Sequence, residues 1–131
     1  MVSECWQSNA EQVLNDLQEI VTARDLPALL DFFEDPAVLI GTAAEGRTPE
    51  ARREYLTAVT TQTASLRWEW RETVLFYETD AALGFSAFGE VVVTDESEER
   101  RAPIRASFLA VRGIAGWRLR HFHGSIPQSP N

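Results

Sequence analysis

The stretch Gly116-Trp-Arg-Leu-Arg-His-Phe-His-Gly-Ser-Ile-Pro127 has the pattern of an amphipathic β-strand. Successive side chains of a strand point to opposite faces of the sheet. Strict alternation predicts an inner, core-facing set: Trp117, Leu119, His121, His123 and Ser125. The same alternation predicts an outer set: Arg118, Arg120, Phe122 and Gly124. Both histidines of the protein would then lie on the inner face.

Three segments before this strand also predict β-structure. They run roughly from Leu66 to Tyr77, from Ala81 to Val93 and from Ala102 to Arg112, and short polar or glycine-containing turns separate them. Strands of this length have to twist and curl, and Gly84 and Gly89 offer places to bend. The four segments together predict a curved antiparallel meander.

The first half of the chain is predicted to supply the helices. Ser8 and Glu11 fit a capping box before a helical apolar pattern, and Asp25 starts a second helix that Pro36 ends. A short strand, Val38–Ile40, precedes a third helix that opens with Thr48-Pro49-Glu50. The fold class is therefore α+β, a single domain over residues 1–131 with three N-terminal helices packed on a strongly curved antiparallel sheet.

Composition narrows the classes of partner. The 131-residue chain has a net charge of −8, and its twelve basic residues are all arginines. An acidic chain without a basic stripe does not favour nucleic acid, and no apolar run is long enough to span a membrane. The N-terminus lacks the pattern of a secretion signal, so we expect a cytoplasmic protein. The single cysteine, Cys5, excludes an intramolecular disulfide.

The final hairpin places a candidate ligand site beside the histidines. If Gly116 ends a three-residue loop, Ser107 lies opposite His121 and Arg105 lies opposite His123. A guanidinium next to imidazoles suits a carboxylate or a phosphate. A register shifted by one residue would instead turn Arg105 to solvent.

Other residues complete the candidate cavity. Ser125 would add a hydroxyl, and Trp68 and Trp70 would form apolar walls or part of the core. Glu45, in the loop before the third helix, is either an acid in the pocket or a solvated loop charge. Two histidines without a third ligand do not make a metal site, so we expect neither a metal nor another cofactor. The alternative is that both histidines are hydrogen-bonded core residues.

With the Asp25-Leu, Phe33-x-Asp35 and Ile40-Gly41-Thr42 pieces, this C-terminal motif resembles SnoaL-like domains of the nuclear transport factor 2-like superfamily. The branch it is most similar to includes the association domain of calcium/calmodulin-dependent kinase II. The resemblance implies a cone-shaped, strongly bent sheet wrapped around helices, with a cavity at one end. It also implies a homodimer or larger ring formed through the outer face of the sheet.

The superfamily also contains ketosteroid isomerases, whose site residues are missing from this chain. Leu17 stands near the position of their tyrosine, Ile40-Gly41 near that of their aspartate base, and no carboxylate follows Glu99. Steroid isomerisation is therefore not expected.

Three functions stay open on the sequence alone. The first is binding of a small, anionic organic molecule in a polar cavity that contains Arg105. The second is an enzyme of lyase, isomerase or hydrolase type, with His123 or His121 as general acid–base and Glu45 assisting. The third is an oligomerisation or association module.

Overall fold

Helices cover one face of a curved, six-stranded sheet in the computed structural model, which describes residues 5–42 and 44–127. The elements in chain order are α1 (Trp6–Ala23), α2 (Leu26–Asp31), β1 (Phe33–Ile40), β2 (Glu45–Gly46), α3 (Pro49–Thr61), β3 (Ser65–Glu78), β4 (Ala82–Asp95), β5 (Glu98–Gly113) and β6 (Gly116–Ser125). The predicted α+β class is confirmed.

The sheet has the strand order β2-β1-β6-β5-β4-β3 and is not closed into a barrel. The meander from β3 to β6 is antiparallel throughout, as the sequence predicts. The pairing of β1 with β6 is parallel, so the prediction of a wholly antiparallel sheet is wrong at this place. The chain can make this pairing because it travels from β1 to β6 through α3 and the meander.

Strand β1 is longer than the predicted Val38–Ile40. It begins at Phe33, directly after α2, and contains the exposed Pro36. Its pairing with β6 shifts register between Phe33 and Val38, so Pro36 lies in an irregular part of the ladder where its missing N–H costs nothing. Pro36 therefore does not end α2, which already ends at Asp31.

Two of the three predicted helix starts are confirmed by their caps. The Asp25 side chain accepts a hydrogen bond from the Ala28 N–H, and the Thr48 hydroxyl accepts one from the Ala51 N–H, both at 3.1 Å. The capping box at Ser8 and Glu11 is wrong. Helix α1 starts earlier, at Trp6, so Ser8 lies inside the helix and does not cap it.

The core lies between the inner face of the sheet, which faces the helices, and helix α1. Its largest fully buried side chains are Val13, Leu29, Leu39, Leu83, Phe85, Phe108 and Leu119. Trp117 is also buried, as predicted. At the edge strand β3, the Gln18 side chain accepts from the Trp68 N–H and donates to the Leu66 carbonyl, so α1 satisfies backbone groups that would otherwise need water.

No helix among the described residues has both the length and the apolar character required to cross a bilayer.

Candidate functional site

A β-bulge in β6 decides where the candidate site residues point. Leu119 pairs with Ala110, but His121 already pairs with Leu109, so Arg120 is an extra residue without a partner on β5. The bulge reverses the alternation of side chains beyond it. Leu119 and Phe122 consequently both face the core, although they are three residues apart.

The bulge is held by contacts of two arginines with the segment around β1. Arg118 donates to the carbonyl oxygens of Asp31 at 2.8 Å and Phe33 at 3.0 Å. The Arg120 Nε pairs with the Glu34 carboxylate at 2.7 Å. Phe122 packs on Phe108 with ring centroids 5.3 Å apart. The polar contacts of Arg118 and Arg120 and the packing of Phe122 in the core thus both stabilise the bulge at Arg120.

The predicted inward orientation of His121, His123 and Ser125 is therefore wrong. These side chains lie on the outer face, the sheet face turned away from the helices, where His123 pairs with Ser107 and His121 with Leu109. Phe122 and Gly124, predicted to be outward, are inward instead. The physical reason is the bulge, which strict alternation does not foresee.

The hairpin register also differs from the predicted one. Gly113 pairs with Gly116, which places Arg105 opposite Ser125 and Ser107 opposite His123. Arg105 and Ser107 lie on the outer face with their partners, since directly paired residues share a face. The register therefore matches the alternative stated above, in which Arg105 points away from the helices.

Most of the predicted ligand-binding residues nevertheless come together, on the outer face. A groove of about 220 Å³ across β4, β5 and β6 is lined by Ser86, Phe88, Arg105, Ala106, Ser107, His123 and Ser125. We call it the outer groove. His121 is two residues from His123 along β6 and does not line the outer groove.

Glu45, the predicted assisting acid, lies apart from this groove. It pairs with Ile40 on β1, and Ile40 pairs with His123, so a strand separates Glu45 from His123. The Glu45 carboxylate forms an exposed ion pair with Arg47 at 3.0 Å. This contact fits the solvated loop charge, which was the alternative interpretation of Glu45.

The space enclosed between the helices and the sheet is apolar. A partly open cleft of about 90 Å³, here called the inner cleft, is lined by Leu17, Val21, Leu29, Phe33, Leu39, Tyr55, Leu56, Val59, Leu66, Trp68 and Phe122. Trp68 forms part of its wall, as predicted. Trp70 stacks beside Trp68 and packs edge-on against Phe108, which places it in the core. This apolar lining differs from the polar, cationic cavity that the sequence predicts.

Tyr55 carries the one titratable group of this lining, and sequence analysis did not single it out as a site residue. Burial raises the pKa of its hydroxyl, because the phenolate would be poorly solvated there. The hydroxyl lies over Gly41, where an added Cβ would come within 2.3 Å of it. A tyrosine in the apolar stripe of α3 was the available signal, since a buried phenol requires a hydrogen-bond partner.

The described residues contain no group of three histidine, cysteine, aspartate or glutamate side chains arranged to hold a metal ion.

Comparison with known proteins gives a family and a set of similar folds. The model of the SnoaL-like domain family matches residues 10–129. No curated protein gives a significant match. A candidate dehydratase of the NTF2-like family from Streptomyces avermitilis is 10% identical and has a TM-score of 0.82, with 98% of this chain and 100% of that one covered.

Two further solved structures share the fold. A ketosteroid isomerase-like protein from Erwinia carotovora atroseptica SCRI1043 is 16% identical, with a TM-score of 0.71 over 98% of this chain and 100% of that one. A candidate calcium/calmodulin dependent protein kinase II association domain from Xanthomonas campestris is 14% identical, with a TM-score of 0.75 over 92% and 87%. The family match covers most of the sequence and the architecture agrees with it: the chain belongs to the SnoaL-like domain family.

Proposed function

We propose that this chain binds a small, neutral, mainly apolar organic molecule in the inner cleft, with the Tyr55 hydroxyl as its hydrogen-bonding group. The observation that carries this proposal is an apolar lining that contains a single phenol. The Tyr55 hydroxyl has no hydrogen bond to another described residue, so a ligand oxygen is a suitable partner for it.

The chemistry of the lining favours a neutral ligand over an anion. Arg105 and the two histidines lie on the opposite face of the sheet, so an anion in the inner cleft would lose its hydration without gaining a cation from them. A tyrosine hydroxyl is protonated around neutral pH and can donate, and burial raises the pKa of Tyr55 further from that range. Apolar surface on the ligand would gain from contact with Trp68 and the aliphatic side chains.

The size of the inner cleft limits the ligand. A dry cavity of about 150 Å³ is known to hold benzene, and this one measures about 90 Å³. A ligand would therefore insert one small apolar end and leave the remainder at the mouth of the cleft. Dehydratase and isomerase-like names among proteins of this fold fit a small organic ligand.

The proposal is tested with p-cresol and toluene, which differ by one hydroxyl. We expect p-cresol to bind more tightly than toluene in isothermal titration, because only p-cresol can pair with Tyr55. Tyr55→Phe should weaken p-cresol binding by about three- to tenfold, the equivalent of one neutral hydrogen bond, and leave toluene binding unchanged.

A second pair of variants locates the ligand. Val59→Phe should fill the inner cleft and abolish binding of both compounds, whereas Val74→Phe, on the exposed outer face, should not. If neither compound binds the parent, or if Val59→Phe binds both as well as the parent does, the proposal is wrong.

Association is a second candidate function, favoured by exposed apolar side chains on the outer face. Val74 and Phe76 on β3 are 46% and 58% exposed. Val74 pairs with Ser86, and the Phe76 ring covers Gly84, which places both on the outer face. Phe122, predicted to lie on the outer face, packs in the core instead. Apolar groups exposed side by side on a sheet usually find a partner.

We therefore expect a homodimer at micromolar concentration in analytical ultracentrifugation. Phe76→Glu should weaken it by at least about tenfold, because an unpaired charge would enter an apolar interface. Ile114→Glu is the matched control, since Ile114 is fully exposed at the β5–β6 turn and away from this surface. A monomeric parent, or equal effects of the two variants, would contradict this proposal.

A further inference from the structure

The outer groove forms where polar side chains of three adjacent strands face the same way. Ser86 on β4 pairs with Ser107 on β5, and Ser107 pairs with His123 on β6. The next row is Phe88, Arg105 and Ser125. The strands therefore fix a cation, an imidazole, three hydroxyls and an aromatic ring around one depression.

Arg105 lines the outer groove without an ion pair to a carboxylate of the described residues. Nine other arginines pair with carboxylates or with backbone carbonyls of described residues: Arg24, Arg47, Arg52, Arg67, Arg71, Arg101, Arg112, Arg118 and Arg120. Arg105 makes one long hydrogen bond, from its Nε to the Ser125 Oγ at 3.4 Å. Its cross-strand neighbours, Phe88 and Ser125, carry no charge.

The chain does not lack acids that could pair with Arg105, since it has twenty acidic and twelve basic residues. On the same face, Arg101 contacts Glu69, Glu90 and Glu99, so acids are available a few residues away along β5. The guanidinium of Arg105 keeps free N–H donors in the planar arrangement that binds a carboxylate through two parallel hydrogen bonds.

The remaining lining restricts what such a ligand looks like. The Ser86 and Ser107 hydroxyls bond to each other at 2.8 Å, which leaves one hydroxyl hydrogen free to donate outward. His123 can offer a further N–H. Phe88 is directly opposite Arg105 and 40% exposed, so it presents an apolar ring surface next to the cation.

We propose that the outer groove is a binding site for a small aromatic carboxylate. Arg105 binds the carboxylate, with His123 and the serine hydroxyls as additional donors, and Phe88 packs on the aromatic ring. The volume of about 220 Å³ suits a single-ring acid. This site lies on the other face of the sheet from the inner cleft and does not depend on the function proposed there.

Benzoate and benzyl alcohol test the proposal as a matched pair, in titrations followed by amide chemical shifts of the ¹⁵N-labelled chain. We expect benzoate to shift the amides of β4, β5 and β6 around Ser86, Ser107 and His123. Benzyl alcohol, which has the ring but no charge, should shift them little. Arg105→Gln should weaken benzoate binding by about ten- to hundredfold, as for loss of a charge-assisted hydrogen bond.

Two control variants distinguish binding in the outer groove from a general charge effect and from binding in the inner cleft. Arg100→Gln removes the same charge from the same strand, outside the groove, and should leave the benzoate affinity within about twofold of the parent. Val59→Phe closes the inner cleft and should not change benzoate binding either. If benzoate does not bind, if Arg105→Gln binds it as well as the parent does, or if Arg100→Gln weakens it equally, the outer groove is not a carboxylate site.

Discussion

Replacing Phe108 by alanine should lower the free energy of unfolding by about 3–5 kcal/mol. Phe108 is 1% exposed and lies at the centre of an aromatic cluster on the inner face. Its ring stacks on Phe85 at 5.0 Å and contacts Phe122 at 5.3 Å and Trp70 at 6.2 Å. The substitution removes these contacts and leaves a cavity. The paired strands around it cannot move together to fill that cavity.

Chemical denaturation measures this loss, and Tyr77→Ala is the control. Tyr77 is 51% exposed, so its truncation should cost less than about 1 kcal/mol. Because small domains are stable by only about 5–15 kcal/mol, Phe108→Ala should shift the denaturation midpoint visibly. Similar midpoints for the two variants would mean that the aromatic cluster does not hold β5 to its neighbours as described.

The sequence predicted those parts of the fold that local chemistry determines. The caps at Asp25 and Thr48, the four long strands of the meander and the burial of Trp117 all follow from residue type and spacing. The prediction that Trp68 and Trp70 form apolar walls or part of the core is confirmed as well. Each of these features depends on neighbours along the chain or across a single turn.

The orientation of the histidines could not be predicted in this way, because it depends on tertiary contacts. The Arg120 bulge is stabilised by Glu34, the Asp31 and Phe33 carbonyls and the packing of Phe122, all remote in sequence or in the core. Strict alternation correctly predicted that Trp117 and Leu119 face inward. Applied beyond the bulge, it wrongly predicted that the histidines face inward too. The usable signal was the spacing of Leu119 and Phe122, two large apolar residues at an odd interval in an otherwise polar segment.

The bulge and the hairpin register together explain why the site residues were predicted on the wrong face: the bulge turns His123 and Ser125 outward, and the register turns Arg105 and Ser107 outward. Arg105, Ser107, His123 and Ser125 meet because adjacent strands turn all four to the same face. Tyr55 lines the inner cleft and was missed for a different reason: the apolar stripe of α3 indicates that Tyr55 faces the core, but not which strand residues it will meet there.

Replacing Gly89 by alanine is the second substitution expected to have a large effect. An added Cβ at Gly89 would lie 2.1 Å from the Glu69 carbonyl oxygen and 2.8 Å from the Trp70 Cα, and both atoms belong to the backbone of β3. The register of β3 on β4 shifts between Trp70 and Glu72, next to this glycine. Backbone cannot rotate away as a side chain can, so β3 would have to separate locally from β4.

We expect Gly89→Ala to lower the free energy of unfolding by about 3 kcal/mol, the upper end of what overpacking usually costs. Gly84→Ala is the matched control on the same strand, opposite the second register shift of β3. The atoms nearest to its added Cβ would belong to the ring of Phe76, at 2.5 Å, and this 58% exposed side chain can shift more easily than backbone. Gly84→Ala should therefore cost about 1 kcal/mol or less.

Urea denaturation followed by tryptophan fluorescence compares the two glycine variants directly, since Trp68 and Trp70 report on β3. Gly89→Ala should also weaken p-cresol binding, because displacement of β3 moves Trp68 away from the inner cleft. Gly84→Ala should leave that binding intact, because its strain is relieved on the outer face. Equal losses of stability in the two variants would show that the close approach of β3 to Gly89 is not what bends the sheet around the cleft.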